Sequence, residues 1–383
     1  MQKNTFLYSI IWALMVTFTA HGQQIHNTGN IQTHANSEVG IFSTVVNEGT
    51  FLSNEGLVGF YGTTGYNITG SNELDLFDIE IANEGSIVLN TPIIVENNTN
   101  FIIGDFETSK SEDVNYLEFE NSAFYNGSSN FSKINGFVKA RVSNNLILPI
   151  GDDLFLRPMS VETTGTPSTY TGCYIYDNAT LNNPFFAEEE VTEVNTNEYW
   201  ILKGDDQTSA TLHWNERSAL ENIAENSSEI CIVGYEIATA TWKNLGNINI
   251  VGDLKSGFVS SESFVPNEYA ALTFGVIDNN EQPEDDLSEK GYHYLVSPNG
   301  DGVNDRFVIE ELANFENNAL QIYDRNGLLV YQAQNYTDQF EGFTGNNIAA
   351  ISRNKGLAQG IYYYIASVNG GEFSVQGFLY IDR

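Results

Sequence analysis

Ser297-Pro298-Asn299-Gly300-Asp301-Gly302-Val303-Asn304-Asp305 is the stretch from which the fold of the C-terminal quarter is read. All but Val303 are turn or loop formers. Glycine supplies positive φ, asparagine and aspartate bond back to their own backbone, and Pro298 fixes φ on entry. Strand-like text flanks this loop: Tyr292-His293-Tyr294-Leu295-Val296 before it and Phe307-Val308-Ile309 after it. Leu320-Gln321-Ile322-Tyr323 and Leu328-Leu329-Val330-Tyr331 enclose Asn326-Gly327, a strong hairpin signal because both turn positions need φ above zero. A two-residue loop there predicts Ile322 opposite Tyr331 and Tyr323 opposite Val330. A second hairpin joins Gly360-Ile361-Tyr362-Tyr363-Tyr364-Ile365-Ala366 to Phe373-Ser374-Val375 and Gly377-Phe378-Leu379-Tyr380-Ile381 through Asn369-Gly370-Gly371. Both faces of these strands are apolar or aromatic, which predicts central strands of a sandwich. The last strand stops at Asp382-Arg383, and it is expected to be open to a partner by strand addition.

In this order, these motifs resemble one module: the gliding-motility-associated C-terminal domain, the type B sorting signal of the bacterial type IX secretion system. The resemblance spans about residues 292–383 and rests on Pro298, Asn299, Gly300, Asp301, Gly302, Asn304, Asp305, Asn326, Gly327, Gly360, Tyr362 and Gly377. Two departures affect packing: the family often has Trp after the first hairpin's Asn or Arg, and Trp-Asp-Gly where this chain has Phe340-Glu341-Gly342. The resemblance implies an Ig-like β-sandwich that directs export across the outer membrane. It also implies the type IX translocon and an outer-membrane barrel of the gliding-motility type as partners. About the cargo it implies nothing.

Across 383 residues, 50 acidic side chains stand against 16 basic ones, a formal net charge of −34. That balance argues against nucleic acid and anionic lipid, which need a basic surface. Residues 1–22 read as a secretory signal peptide: Lys3, an apolar stretch from Phe6 to Ala20, and small residues in Ala20-His21-Gly22 before Gln23. The apolar stretch is short for a membrane span, and no cysteine follows it that could carry a lipid anchor. Cys173 and Cys231 are the only cysteines, both within apolar strand text, where a disulfide and two buried thiols are both compatible.

From 23 to 145, short apolar runs are broken by Asn and Gly, with Asn-Glu-Gly at 47–49, 54–56 and 83–85. Strand, corner, strand is how a β-solenoid reads, although the irregular period also suits a sandwich of long strands. The text is similar to β-solenoid stretches of secreted Bacteroidetes surface proteins. From 146 to 277, at least six strands at sandwich spacing predict a β-sandwich with Trp200, Trp214 and Trp242 in its core, and one short helix within 216–225. Residues 278–291 form an acidic linker with almost no apolar content. The expected class is all-β: solenoid, sandwich, linker and sorting domain at 292–383.

No nucleophile elbow, zincin helix, phosphate loop or dinucleotide fingerprint occurs. Asp205-Asp206 and Glu188-Glu189-Glu190 offer carboxylate pairs of the glycosidase kind, but in so acidic a chain they read as solvated turns. A uronate lyase needs cations and a base, and residues 4–109 contain neither Lys nor Arg. Asn299, Asp301 and Asp305 space their oxygens loosely like a calcium loop. The first loop position is not acidic, however, and no clear bidentate Glu closes it, so side-chain-to-backbone bonds compete with calcium as the reading. The expectation is a non-enzymatic adhesin or an accessory of a surface or gliding apparatus, with a surface glycan or protein as ligand. The alternative is a carbohydrate-active or glycan-binding protein whose site lies in 146–277.

Overall fold

The computed structural model of the chain describes residues 24–53, 55–121, 123–163, 167–177, 187–277, 294–309, 312, 317–324, 328–345, 356–368 and 373–383. The expected signal peptide at 1–22, the linker at 278–291 and the turn residues Asn326 and Gly327 lie outside the described residues. The protein is nearly all β, 56% strand and 4% helix, and residues 25–140 wind through about five coils of a β-solenoid. Two parallel sheets line the coils. One runs from Ile25–Asn27 through Val45–Asn47, Tyr66–Gly70, Ile87–Leu89 and Phe106–Glu107 to Ile134–Asn135. The other runs from Asn30–Thr33 through Thr50–Ser53, Leu74–Asn83, Ile93–Ile103 and Leu117–Phe119 to Val138–Val142.

The corner tripeptides explain the coil. Asn27 Oδ1 accepts the Gly29 N–H at 3.1 Å and Asn83 Oδ1 the Gly85 N–H at 2.8 Å, so each asparagine bends the chain two residues on. The amide nitrogens reach across coils: Asn27 Nδ2 donates to Asn47 Oδ1 at 2.8 Å, and Asn47 Nδ2 to the carbonyl of Glu73 at 2.9 Å. Glycine is needed beside them because the coils touch there; a Cβ on Gly49 would lie 2.1 Å from the Gly29 carbonyl oxygen. Inside, register stacks apolar side chains into columns. Leu74, Ile93, Leu117 and Val138 occupy one column, all fully buried. Fully burying each such side chain contributes roughly 1.5–3 kcal/mol.

The core continues past residue 145. Val138–Val142 pairs parallel with Leu117–Phe119 on one side and antiparallel with Ser168–Ile175 on the other. The second solenoid sheet thus runs on through Tyr199–Lys203, Tyr269–Ile277, Ile230–Glu236 and Thr241–Asn244. A separate five-stranded sheet faces it, in the order Asn145–Leu148, Met159–Thr163, Thr208–Trp214, Ser256–Ser260, Asn249–Asp253. Trp200 and Trp214, one from each sheet, both pack edge-on to Phe274, with centroids 5.5 and 5.8 Å away. One apolar cluster extends from Ile41 to Val276. The expected short helix is instead a series of 3-10 turns at Glu216–Ser218, Leu220–Asn222 and Ser227–Glu229. Asn215 caps the first turn and Ala219, at φ 52°, breaks it from the second.

The C-terminal module holds a five-stranded sheet in the order Tyr294–Val296, Phe373–Ile381, Gly360–Val368, Asn318–Tyr323, Leu329–Gln334. Ile322 faces Tyr331 as predicted, but Tyr323 pairs with Leu329 rather than Val330. The reason is local. Asp324 Oδ1 accepts the Leu328 N–H and the Leu328 carbonyl accepts the Asp324 N–H, both at 2.9 Å, so the loop closes one residue wider than an Asn-Gly turn.

Candidate functional site: the C-terminal module and its seat

The loop from Pro298 to Asp305 is a set of side-chain-to-backbone bonds. Asp305 accepts the N–H of Gly300 at 2.7 Å and of Gly302 at 2.8 Å, one on each carboxylate oxygen. Asp301 Oδ1 accepts the Val303 N–H at 2.8 Å and its Oδ2 the Asn299 amide at 2.9 Å, while Asn299 Oδ1 accepts the Asp301 N–H at 2.9 Å. Gly300 and Gly302 sit at φ 83° and 90° with open space around them, so conformation and not crowding calls for glycine. The bonds from Val303 and then Asn299 hold the Asp301 carboxyl below the usual carboxylate range. Oxygens of all three candidate calcium ligands, Asn299, Asp301 and Asp305, are therefore engaged by backbone N–H groups. Among the described residues no cluster of three His, Cys, Asp or Glu side chains is arranged for a metal.

Ile381 pairs with both Val296 and Gly360, which brings the loop entrance and Gly360 to one end of the sheet. Tyr362 is buried and donates from its hydroxyl to the Ala358 carbonyl at 2.9 Å, and Gly377 lies opposite Tyr364 in the ladder. Phe340 is fully buried, its ring centroid 4.8 Å from that of Tyr331. Tyr336 donates its hydroxyl to the Phe307 carbonyl beneath them.

The expected openness of the last strand is corrected by the sheet order. Phe373–Ile381 lies between Gly360–Val368 and Tyr294–Val296, so its end from Leu379 to Ile381 is paired on both sides. Farther back, the Gln376 carbonyl accepts Asn145 Nδ2 at 2.8 Å. Strand addition there requires displacing Tyr294–Val296 first.

The two faces of the module's sheet have different covers. Tyr362, Tyr364, Ala366 and Val368 point into the module's own core with Leu379 and Ile381. Ile361, Tyr363, Phe378 and Tyr380 point the other way, into a second apolar cluster with Ile147, Val251 and Phe258 of the middle sheet. Phe378 stacks 6.0 Å from Phe258 and 5.6 Å from His213, and the Tyr363 hydroxyl lies 3.4 Å from His213 Nε2. Burial first, and the nearby Arg157 charge second, keep the His213 pKa well below the histidine range. Beside this seat a cleft of about 760 Å³ separates module from middle domain, lined by Asn130, His213, Arg217, Lys255, Gln359 and Tyr362 among others. The seat escaped sequence reasoning, although the alternate apolar positions 361 and 363 were a signal of a second covered face.

Other candidates have structural partners. Trp200, Trp214 and Trp242 are buried, so none forms an exposed glycan platform. Asp205 accepts from Asn267, Asp206 from Ser168, and Glu188 pairs with Lys243 at 2.7 Å. Lys110 donates to the carbonyls of Gly151 and Tyr174, and Lys133 is buried against Asp105 at 2.9 Å. Cys173 and Cys231 are free, buried thiols whose pKa burial pushes up to about 12. Within the middle domain, Arg157 and Glu198 are fully buried. Arg157 Nη2 donates to Glu198 Oε1 at 2.5 Å and to Ser218 Oγ at 2.8 Å, and the Tyr174 hydroxyl donates to Glu198 Oε2 at 2.6 Å.

No curated protein and no solved structure matches the chain. The loop, the two hairpins and the five-stranded sheet fall together in the segment that a family model does match: residues 291–381 are a CHU_C Type IX secretion signal domain, the address of export by the type IX system.

Proposed function

We propose that this chain is a non-enzymatic surface protein, an adhesin or an accessory of an outer-membrane surface or gliding apparatus. A signal peptide at 1–22 takes it across the inner membrane. The C-terminal module then delivers it to an outer-membrane barrel of the gliding-motility type, for display at the cell surface or release into the extracellular medium. The observation that carries this reading is the secretion signal domain joined to a solenoid and sandwich that share one apolar core. Such a rod presents long sheet faces to a ligand, a surface glycan or another protein, and holds them rigid without catalytic machinery. The abundant carboxylates keep it soluble and disfavour nucleic acid.

The test is truncation after Lys290 in cells that carry the barrel. The shortened protein is expected to stay in the periplasm, and the module fused behind a signal peptide and a fluorescent reporter is expected to reach the surface. Surface delivery of the truncated protein at the normal level overturns the export role. The second reading, a glycan site in 146–277, is favoured only by the cleft beside the module, which carries Glu216 and Asp324 on its walls. Purified protein releasing reducing or unsaturated ends from a glycan panel, with turnover lost on Glu216→Gln, would replace the non-enzymatic reading with this one.

A further inference from the structure

We propose that the C-terminal module is a latch on its own cargo, docked only while the middle domain is folded. Three observations carry this. First, the module has a core of its own, from Val296 to Ile381, so its sheet does not need the seat in order to fold. Second, the face that meets the seat is closed over: Phe258 and Phe378 are fully buried and Ile147, Ile361 and Tyr380 nearly so. An apolar strip of this kind gains free energy by being covered and favours the docked state. Third, the seat is assembled from distant parts of the sequence. Asn145 and Ile147 lie on the strand Asn145–Leu148, His213 on Thr208–Trp214 and Phe258 on Ser256–Ser260, brought together only by the five-stranded sheet. Ser160 Oγ donates to Asn145 Oδ1 at 2.6 Å, which aims the Asn145 amide at the Gln376 carbonyl. Unfolding the middle domain therefore dissolves the seat and frees the module, whereas the main apolar cluster of the middle domain, among the described residues, includes none from the module. The position of the module reports whether the cargo is folded to whatever reads the module. This inference does not depend on what the cargo binds.

Cysteine labelling resolved by mass spectrometry tests it on the full chain. Cys173 and Cys231 are buried in the middle domain and report its unfolding. Ile361→Cys reports the seat and Ala366→Cys the module's own core. In native conditions both introduced thiols are expected to react at least tenfold more slowly than an exposed thiol. Adding Ile147→Asp, which puts a charge in the seat, is expected to raise labelling of Ile361→Cys at least tenfold and leave Ala366→Cys protected. In a urea series, Ile361→Cys is expected to open together with or before Cys173 and Cys231, and ahead of Ala366→Cys. Three results overturn the proposal: rapid labelling of Ile361→Cys in the native chain; Ile147→Asp opening both introduced thiols equally or neither; or Ile361→Cys staying protected after Cys173 and Cys231 have reacted. Should Ile147→Asp fail to fold, Asn145→Ala replaces it, with a smaller rise at Ile361→Cys alone expected and no rise overturning the latch.

Discussion

Replacing Glu198 by glutamine keeps the shape of the side chain and removes one charge from the centre of the middle domain. The carboxylate is fully buried and takes two donors, Arg157 Nη2 on Oε1 and the Tyr174 hydroxyl on Oε2. Its partner is worse placed. Arg157 is also fully buried; among the described residues its Nε and Nη1 have no hydrogen-bond partner, and beyond Ser218 its charge meets the rings of Trp200 and Tyr174, at 5.5 and 5.7 Å. With Glu198 neutral, the guanidinium becomes an uncompensated charge in a low-dielectric core, and breaking such a pair costs about 3–5 kcal/mol. That is a large share of the roughly 5–15 kcal/mol by which a domain is stable. At an m-value near 3 kcal/mol/M the urea midpoint falls by roughly 1–2 M.

Tryptophan fluorescence is a suitable probe, because Trp200, Trp214 and Trp242 all lie in this domain. A companion variant isolates the cause. Arg157→Met, Glu198→Met and Tyr174→Phe together remove both charges and the hydroxyl that would otherwise lose its acceptor. Apolar replacement of a buried pair is often neutral or stabilising, so the triple variant is expected to recover most of the loss. A cost below about 1 kcal/mol for Glu198→Gln, or a triple variant less stable than the single one, refutes the argument that the pair is held by mutual compensation.

Stability is also expected to fall in mild acid through His213. Its folded pKa is depressed, so between pH 6.5 and that lower value the unfolded chain binds a proton that the folded chain does not; the contribution is complete above pH 6.5 and declines by about 1.4 kcal/mol per pH unit below it. The fall in unfolding free energy from pH 7 to pH 5 should be smaller in His213→Gln than in the native chain, and an unchanged slope counts against His213 as its source. In the sorting loop, Asp305→Ala removes the acceptor of two backbone N–H groups and is expected to cost about 1 kcal/mol, read as a lowered melting temperature of the module. Calcium raising that temperature in the native chain, with Asp305→Ala abolishing the rise, would instead make the loop a cation site.

The parts of this fold that were legible are those whose chemistry is local. Asn-x-Gly corners require an asparagine that accepts two residues on, as Asn27 and Asn83 do, and their glycines serve where coils touch, as Gly49 does against Gly29 of the neighbouring coil. The Pro298 to Asp305 loop is likewise closed by bonds spanning at most a few positions. The misreadings involve side chains whose partners the sequence does not rank. Asp324 widened the first hairpin by accepting the Leu328 N–H, a choice a polar residue beside a turn can make or leave. Arg157 and Glu198 are 41 residues apart with no periodicity to join them. The last strand read as open because strand order is not written in any one strand; only pairing with Tyr294–Val296 closes it.

The most informative case is the strand Gly360–Val368, whose two apolar faces were legible and whose two covers were not. An apolar face on each side of a sheet demands a layer on each side. The described part of the module supplies one, from Phe307, Ile309, Tyr336 and Phe340 among others. Among the described residues, the layer on the other face comes from Ile147, Val251 and Phe258, more than a hundred residues earlier in the chain. The same alternation that marks these strands as central therefore matches a module whose second face is covered by the middle domain. A sorting signal with one apolar face in excess must either keep that face on its cargo or offer it elsewhere. The seat beside His213 is where this chain keeps it.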